Sequence, residues 1–248
     1  MTAKNEIPSS LGYSLDMDKY TSVELMIINA ARMLNNHDVV FVGVGLPNLA
    51  CNFAKHTHAP DLVMIYEAGV IDASPSRLPL SIGDPALVIR ALSIVGMYDV
   101  FANYLQRGHV DVGFLGGAQI DKFGNINSTC IGKEYSHPHI RLPGSGGAQE
   151  IAAWADRCYI ITPHEKRRFP EKVDFITSRC GMDSENISRN SGVRGKNSSA
   201  IITDIGILKR DPTGEFILTA LHPGKTLHSA VVNTGWNLRS SDILPTTS

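Results

Sequence analysis

Apolar residues along this chain recur in two rhythms. From Thr21 the rhythm is helical, with Val23, Met26, Ile27, Ala30 and Leu34 returning to one face, and "TSVE" before them matches a capping box with Thr21 as cap and Glu24 three residues on. A first helix is predicted there. Two later stretches do not alternate at all: "DVVFVGVG" (Asp38 to Gly45) and "LVMIYEAG" (Leu62 to Gly69) are unbroken apolar runs, separated by a short helical segment, "NLACNFAKH". Runs of this length and β-branched content read as strands covered on both faces.

The same alternation of types continues downstream. "PALVIRALSIVGMYDVFANYLQRG" reads mostly as helix, "VDVGFLGGAQID" as a strand, "KFGNIN" as a turn through Gly124 and Asn125, "GSGGAQEIAAWADR" as a glycine loop opening a helix, and "CYIIT" as a further strand. Between Cys180 and Ser199 the chain is polar and turn-rich, which predicts a surface loop. "AIITDIGILKRDPTGEFILTALHPG" then predicts a hairpin turning at "DPTG", Asp211 to Gly214. Doubly covered strands separated by helices specify an α/β fold with an open, mostly parallel sheet between helical layers. No repeat, low-complexity tract or linker divides the chain, so residues 1–248 are expected to form one domain, with a polar N-terminal arm over 1–20 and a C-terminal tail over 239–248.

Composition narrows the function classes. A net charge of -1 and a pI near 6.7 leave no electrostatic footprint for nucleic acid or an anionic membrane. The opening residues show no secretory pattern and no run reaches the roughly 18 apolar residues that span a bilayer, so a cytoplasmic protein is expected. The four cysteines, Cys51, Cys130, Cys158 and Cys180, are widely spaced with no CxxC pair, and read as isolated reduced thiols.

In open parallel sheets, ligands bind beyond the carboxyl ends of the strands, where loops and helix starts present backbone N–H groups. "VGVGLPN", "IYEAGVID" and "GSGGAQ" all end elements in this way. Gly43 and Gly45 begin a G-x-G-x-x-G, and Glu67 lies near the place of a ribose-binding acid, but Asn48 replaces the third glycine and Pro47 sits inside the turn. Tight strand-to-helix turns account for those glycines equally well. Glu67 itself follows a buried apolar run, where a carboxylate loses hydration. Two readings of it stand side by side: an acid in a functional pocket, with Gly69 permitting another molecule to approach, or a strand-end acid satisfied by backbone N–H groups.

A resemblance bears on that choice. "GVGLP", "YEAGVIDASP", "SIGDPALV", "GFLGGAQIDKFGNINSTCIG", "RLPGSGGAQEIA" and "HEKRRF" follow one another as in the B-type half of glutaconate CoA-transferase, a class I CoA-transferase, from about Thr21 to about Leu238. The resemblance implies the sandwich shared by CoA-transferases, ribose-5-phosphate isomerase and glucosamine-6-phosphate deaminase, and it puts Glu67 at the catalytic glutamate. It implies covalent transfer of CoA between an acyl-CoA and a carboxylic acid through a glutamyl anhydride and a glutamyl-CoA thioester, with no metal and no cofactor beyond CoA as substrate. By the same similarity the acyl-CoA and oxyanion contacts fall to Gly43, Gly45, the Gly116–Gly117–Ala118–Gln119 group, and Gly144, Ser145, Gly146 and Gly147. Because class I enzymes use two homologous halves, an A-type partner subunit is implied, in a heterodimer or heterotetramer.

The chain departs from the family pattern at "EAG", Glu67 to Gly69, where a glutaconate enzyme has "ESG"; the missing hydroxyl bears on acyl specificity. A hydrolase or decarboxylase of CoA esters on the same scaffold, and a CoA-binding subunit without chemistry, are the competing readings. "PHEKRRF" has Arg168 where a zinc protease motif needs histidine, and the pairs His56/His58 and His137/His139 have no third ligand at useful spacing, so no metal is expected. His164, Lys166, Arg167 and Arg168 fit either a CoA phosphate or substrate carboxylate contact, or an ion-paired surface.

Overall fold

The computed structural model describes residues 20–75, 77–180 and 199–247. Helix α1 (Ser22–Arg32) begins with the predicted capping box: the Thr21 hydroxyl accepts from the Glu24 N–H and the Glu24 carboxylate accepts from the Thr21 N–H. Strand β1 (Val39–Phe41), helix α2 (Leu46–Thr57) and strand β2 (Val63–Ile65) follow. After β2 the chain reverses into β3 (Val70–Ile71), makes a 3-10 turn over Pro85–Val88, and adds β4 (Ser93–Ile94). Helix α3 (Met97–Asp99) runs directly into a π-helical segment, Val100–Leu105. The stretch predicted to be mostly helical is therefore helical only in its second half. Pro85 and Gly96 punctuate it, and Ser93 and Ile94 pair instead with β3.

Strand β5 (Val112–Leu115) leads to the β6 (Gln119–Ile120) and β7 (Asn125–Asn127) hairpin, whose turn holds Gly124 at φ 75°. Next come β8 (Cys130–Ile131), β9 (Ile140–Arg141), α4 (Ala148–Trp154), β10 (Arg157–Ile161) and β11 (Ser178–Arg179). The surface loop expected after Cys180 lies outside the described residues over 181–198. Strands β12 (Ala200–Ile202), β13 (Gly206–Arg210) and β14 (Phe216–Leu221) form a meander rather than a single hairpin, because a tight turn at Thr203–Ile205 precedes the predicted one at Asp211–Gly214. Helix α5 (Leu227–Val232) closes the order, and residues 240–246 run beside β14 through bridges from Ser240 and Thr246.

Nine strands make the main sheet, in the order β14-β13-β12-β10-β5-β1-β2-β3-β4. The five central strands are parallel and the hairpins at both edges are antiparallel. Strand alternation then divides the core into two layers. Val40 and Met64 face α1 and α2 through Met26, Ala30, Ala50, Cys51 and Ala54, while Phe41 and Ile65 face the layer of Val100, Leu105 and Ile151. Gly113 is needed for the second layer, since a Cβ there would overlap Ile151 of α4. That close packing carries the loop before α4 to the sheet's carboxyl edge.

The reduced-thiol expectation fails for two of the four cysteines. Cys158 on β10 and Cys180 beyond β11 are disulfide-bonded with Cα atoms 5.8 Å apart, whereas Cys51 and Cys130 are free and buried. The pair lies 22 residues apart in the chain, which folds back to bring the two together, and spacing in sequence carries no sign of it.

Candidate active site

Adjacent parallel strands β5, β1 and β2 release their loops at one edge: Gly116 follows β5, Gly43 and Gly45 follow β1, and Glu67 follows β2. Glu67 sits at the tip of a tight β2–β3 hairpin. The Gly69 N–H donates to the Tyr66 carbonyl at 2.9 Å and the Tyr66 N–H to the Val70 carbonyl at 2.9 Å, with Gly69 at φ 101°. A turn with a left-handed third loop residue suits a three-residue hairpin and demands glycine. The reading of Gly69 as space for another molecule is corrected here. The close neighbour is the chain's own β4 edge, whose Val95 carbonyl oxygen a Cβ on Gly69 would overlap.

Beneath the tip, Tyr66 is fully buried on the α2 side, and its hydroxyl donates to Asn48 Oδ1 at 2.9 Å, an atom that also accepts from Asn52 at 2.8 Å. Burial pushes the Tyr66 phenol well above its ordinary range, so it stays a neutral donor. The hairpin is thus tied to the first turn of α2, which starts at Gly45.

Glu67 is half-buried, and among the described residues no group hydrogen-bonds or ion-pairs with its carboxylate. The strand-end acid satisfied by backbone N–H groups is therefore not what the structure contains. Beside it stands the glycine loop before α4: a Cβ on Gly147 would lie 3.6 Å from Glu67 Oε1. Gly144 (φ 103°) and Gly146 (φ 46°) face open space, and the loop is anchored by the Gly144 N–H on the Ser128 carbonyl and the Ser128 hydroxyl on the Gly144 carbonyl. Ser145 gives its carbonyl to the Ala148 N–H. Gly43, Gly45 and Gly116 likewise border space that a side chain would enter.

The "GGAQ" group is split by the fold. Gly117 packs against Ile126, and the Ala118 N–H is held by the Asn127 carbonyl. Gln119 is buried, accepting from Asn127 at 2.7 Å and from the Asp174 N–H at 3.0 Å while donating to the Asp174 carboxylate. Of that group, only Gly116 opens on the carboxyl edge.

The "PHEKRRF" segment divides too. His164 is buried and stacked on Phe169 with centroids 4.5 Å apart; its Nε2 donates to the Thr234 hydroxyl at 2.9 Å, because that hydroxyl's own proton goes to the Ala230 carbonyl. Arg167 pairs with Glu165 at 2.6 Å, Lys166 is exposed, and Arg168 reaches the Gly117 carbonyl at 3.3 Å. Burial lowers the His164 pKa to about 4. A histidine whose folded pKa lies below its unfolded value favours folding most above the unfolded pKa near 6.5, and that advantage is lost as pH falls toward 4, by an amount of the order of 3 kcal/mol. His164→Gln is accordingly expected to flatten the decline of unfolding free energy between pH 7 and 4, as measured by denaturant titration at each pH. An unchanged slope would show that His164 is not the buried neutral group responsible.

Strand-end loops around an unpartnered glutamate define an acyl-transfer site on an open α/β sheet, and the family comparison agrees: residues 23–233 match the family model described as coenzyme A transferase, so the chain belongs to that family. It is 47% identical over 227 residues to the B-type chain of 3-oxoadipate CoA-transferase from Pseudomonas knackmussii, covering 91% of this chain and 87% of that one. The crystal structure of glutaconate coenzyme A-transferase from Acidaminococcus fermentans superposes with a TM-score of 0.84 at 36% identity, over 93% of this chain and 90% of that chain. The decarboxylase AibA/AibB superposes with a TM-score of 0.80 at 27% identity, over 92% and 89% of the two chains. The chain is thus a class I CoA-transferase β-type subunit with an α/β fold, and the glutaconate subtype is not singled out by these likenesses.

Proposed function

We propose that this subunit moves CoA between an acyl-CoA and a short dicarboxylic acid of the 3-oxoadipate type, with Glu67 as the nucleophile. The observation that carries the reading is the Glu67 carboxylate itself, half-exposed at a rigid turn, without an internal partner and next to a glycine loop. The 47% identity to a 3-oxoadipate enzyme supports the substrate class over glutaconate. A carboxylate is a weak nucleophile toward a thioester in water, and it gains from being held against the carbonyl in a partly dry site. Its attack yields an acyl-glutamyl anhydride and CoA thiolate. The thiolate then attacks the glutamyl carbonyl, releasing the acid and leaving a glutamyl-CoA thioester, and the second acid takes CoA by the reverse path. Each tetrahedral step places charge on oxygen; N–H donors from the Gly45 and Gly144–Gly147 loops stand at the edge where it develops, and one such donor is typically worth about 3 to 4 kcal/mol.

An A-type partner subunit completes this reading. The Pseudomonas relative is itself one of two kinds of chain in its enzyme, and large apolar side chains stay exposed after the Glu67 hairpin, with Leu80, Leu92, Ile94 and Tyr98 between 61% and 86% accessible. The test is to co-express the chain with an A-type subunit, incubate it with succinyl-CoA, treat with borohydride or hydroxylamine, and map the modified peptide by mass spectrometry. Modification at Glu67 is the expected result, together with ping-pong kinetics and a preference for 3-oxoadipate over glutaconate as acceptor. A modification elsewhere, or turnover with no adduct, would remove Glu67 from the mechanism; an equal or reversed preference would remove the substrate class.

A further inference from the structure

Phe101 meets Glu67 at the glycine loop. The ring is carried on the π-helical segment, where the Gln106 N–H bonds the Phe101 carbonyl and the His109 N–H bonds the Tyr104 carbonyl, each five residues back. A widened turn of this kind fits an extra residue into a helix, redirects its side chains and recurs at functional sites. Here it is pinned to α4 by Gln106 on Glu150 at 3.2 Å. One side of the Phe101 ring packs on Phe41, with centroids 5.4 Å apart. Its edge fills the space left by the missing side chain of Gly147, where a Cβ would be 2.6 Å from Cζ, 2.9 Å from Cε1 and 3.6 Å from Glu67 Oε1. An aromatic edge, the loop backbone and the carboxylate therefore converge on one point. Phe101 is only partly buried, so its remaining surface faces the same opening.

We propose that Phe101 is a positioning residue that sets the partition of the glutamyl-CoA thioester between transfer and hydrolysis, an inference that rests on Glu67 being the nucleophile. In transfer, an acceptor carboxylate oxygen bonds to the glutamyl carbonyl carbon, the carbon–sulfur bond breaks, and the thiolate then attacks the acceptor's own carbonyl, releasing the Glu67 carboxylate. In hydrolysis, a water oxygen bonds to that carbon and the carbon–sulfur bond breaks. One water proton goes to the CoA thiolate and the other is shed as the Glu67 carboxylic acid ionises. An apolar ring edge beside the carbonyl denies water the hydrogen-bonding position from which it attacks, whereas an acceptor acid is held by its own binding contacts. The Phe101 ring also holds the glycine loop at the distance from which its N–H groups act.

The experiment uses the co-expressed enzyme with its A-type subunit. The thioester is formed with succinyl-CoA and freed of released succinate by gel filtration, and its decay is followed with and without 3-oxoadipate. Phe101→Ala is expected to raise the ratio of hydrolysis to transfer about 10-fold or more, and Phe101→Leu to stay within about 3-fold of the parent. A merely structural role lowers both rates together and leaves the ratio unmoved; that outcome, with the thioester still formed, overturns the Phe101 proposal and leaves Glu67 standing. If the parent enzyme forms no thioester, the Glu67 reading fails and this one with it. Should Phe101→Ala not assemble, Gly147→Ala displaces the ring edge by its methyl group and is expected to raise the same ratio, and an unmoved ratio there counts equally against the proposal.

Discussion

Glu67→Ala is expected to lower kcat for CoA transfer by roughly 10⁴ to 10⁶, the loss seen when a covalent nucleophile is removed, while changing stability by less than about 0.5 kcal/mol. The two halves of that expectation come from the same fact. Because no described group pairs with the carboxylate, its removal strands no buried donor and creates no cavity in the packed layers. The chemistry has no second route, since both the anhydride and the thioester are bonds to that one side chain. Glu67→Gln keeps the shape and the hairpin but offers an amide in place of the nucleophile, so it should be as inactive as alanine. Glu67→Asp withdraws the oxygens by one methylene and is expected to retain partial adduct formation with slower transfer, because a misplacement near 1 Å costs about 10²-fold. Exchange of labelled CoA between acids, measured beside thermal unfolding of the assembled enzyme, separates the two effects. Full exchange in Glu67→Ala would place the nucleophile elsewhere.

Much of this architecture is readable from one-dimensional pattern because the determining physics is local or strictly periodic. The α1 cap needs only Thr21 and Glu24 three residues apart, and the central parallel strands announce themselves as runs apolar on both faces. Pattern fails where pairing partners are distant. Ser93 and Ile94 carry no strand signal of their own, both being exposed; what makes them a strand is the β3 edge they lie against. Cys158 and Cys180 look like free thiols for the same reason, as nothing in spacing records which segments cross in space. At the site, Glu67 stands out through the expense of placing a charge after buried residues, but its two readings separate only through the hydrogen-bond inventory around it. Gln119 shows the converse. As one residue of a glycine-rich motif it reads as a ligand contact, yet its amide is consumed inside the β6–β7 region by Asn127 and Asp174. Phe101 passes as one aromatic among others in a helical run, since a π-helical turn has no sequence signature that separates it from ordinary helix.

Gly69 carries the other large expected effect. Gly69→Ala asks an L-residue to hold φ near 101° and pushes a methyl group into the Val95 carbonyl that bounds the β4 edge. Left-handed backbone costs a side-chain-bearing residue roughly 1 to 2 kcal/mol, and relieving an overlap with fixed backbone about 1 to 3 kcal/mol more. The Val95 N–H bond to the Gly69 carbonyl, 2.9 Å long, resists the simplest escape, because swinging the turn away from β4 breaks it. A loss of about 3 to 5 kcal/mol in unfolding free energy is therefore expected from those two costs together, read by urea titration of the assembled enzyme. Ala68→Ser is the matched control: it changes the neighbouring side chain at a half-exposed position without touching the turn's geometry, and should stay within about 0.5 kcal/mol of the parent. In whatever fraction of Gly69→Ala folds, the tip must tilt, carrying the Glu67 oxygens off the Gly147 loop and reducing kcat about 10²-fold with little change in the binding of CoA. Parent-like stability in Gly69→Ala would mean that β4 yields freely to the methyl group, and the rigid turn on which the placement of Glu67 depends would have to be abandoned.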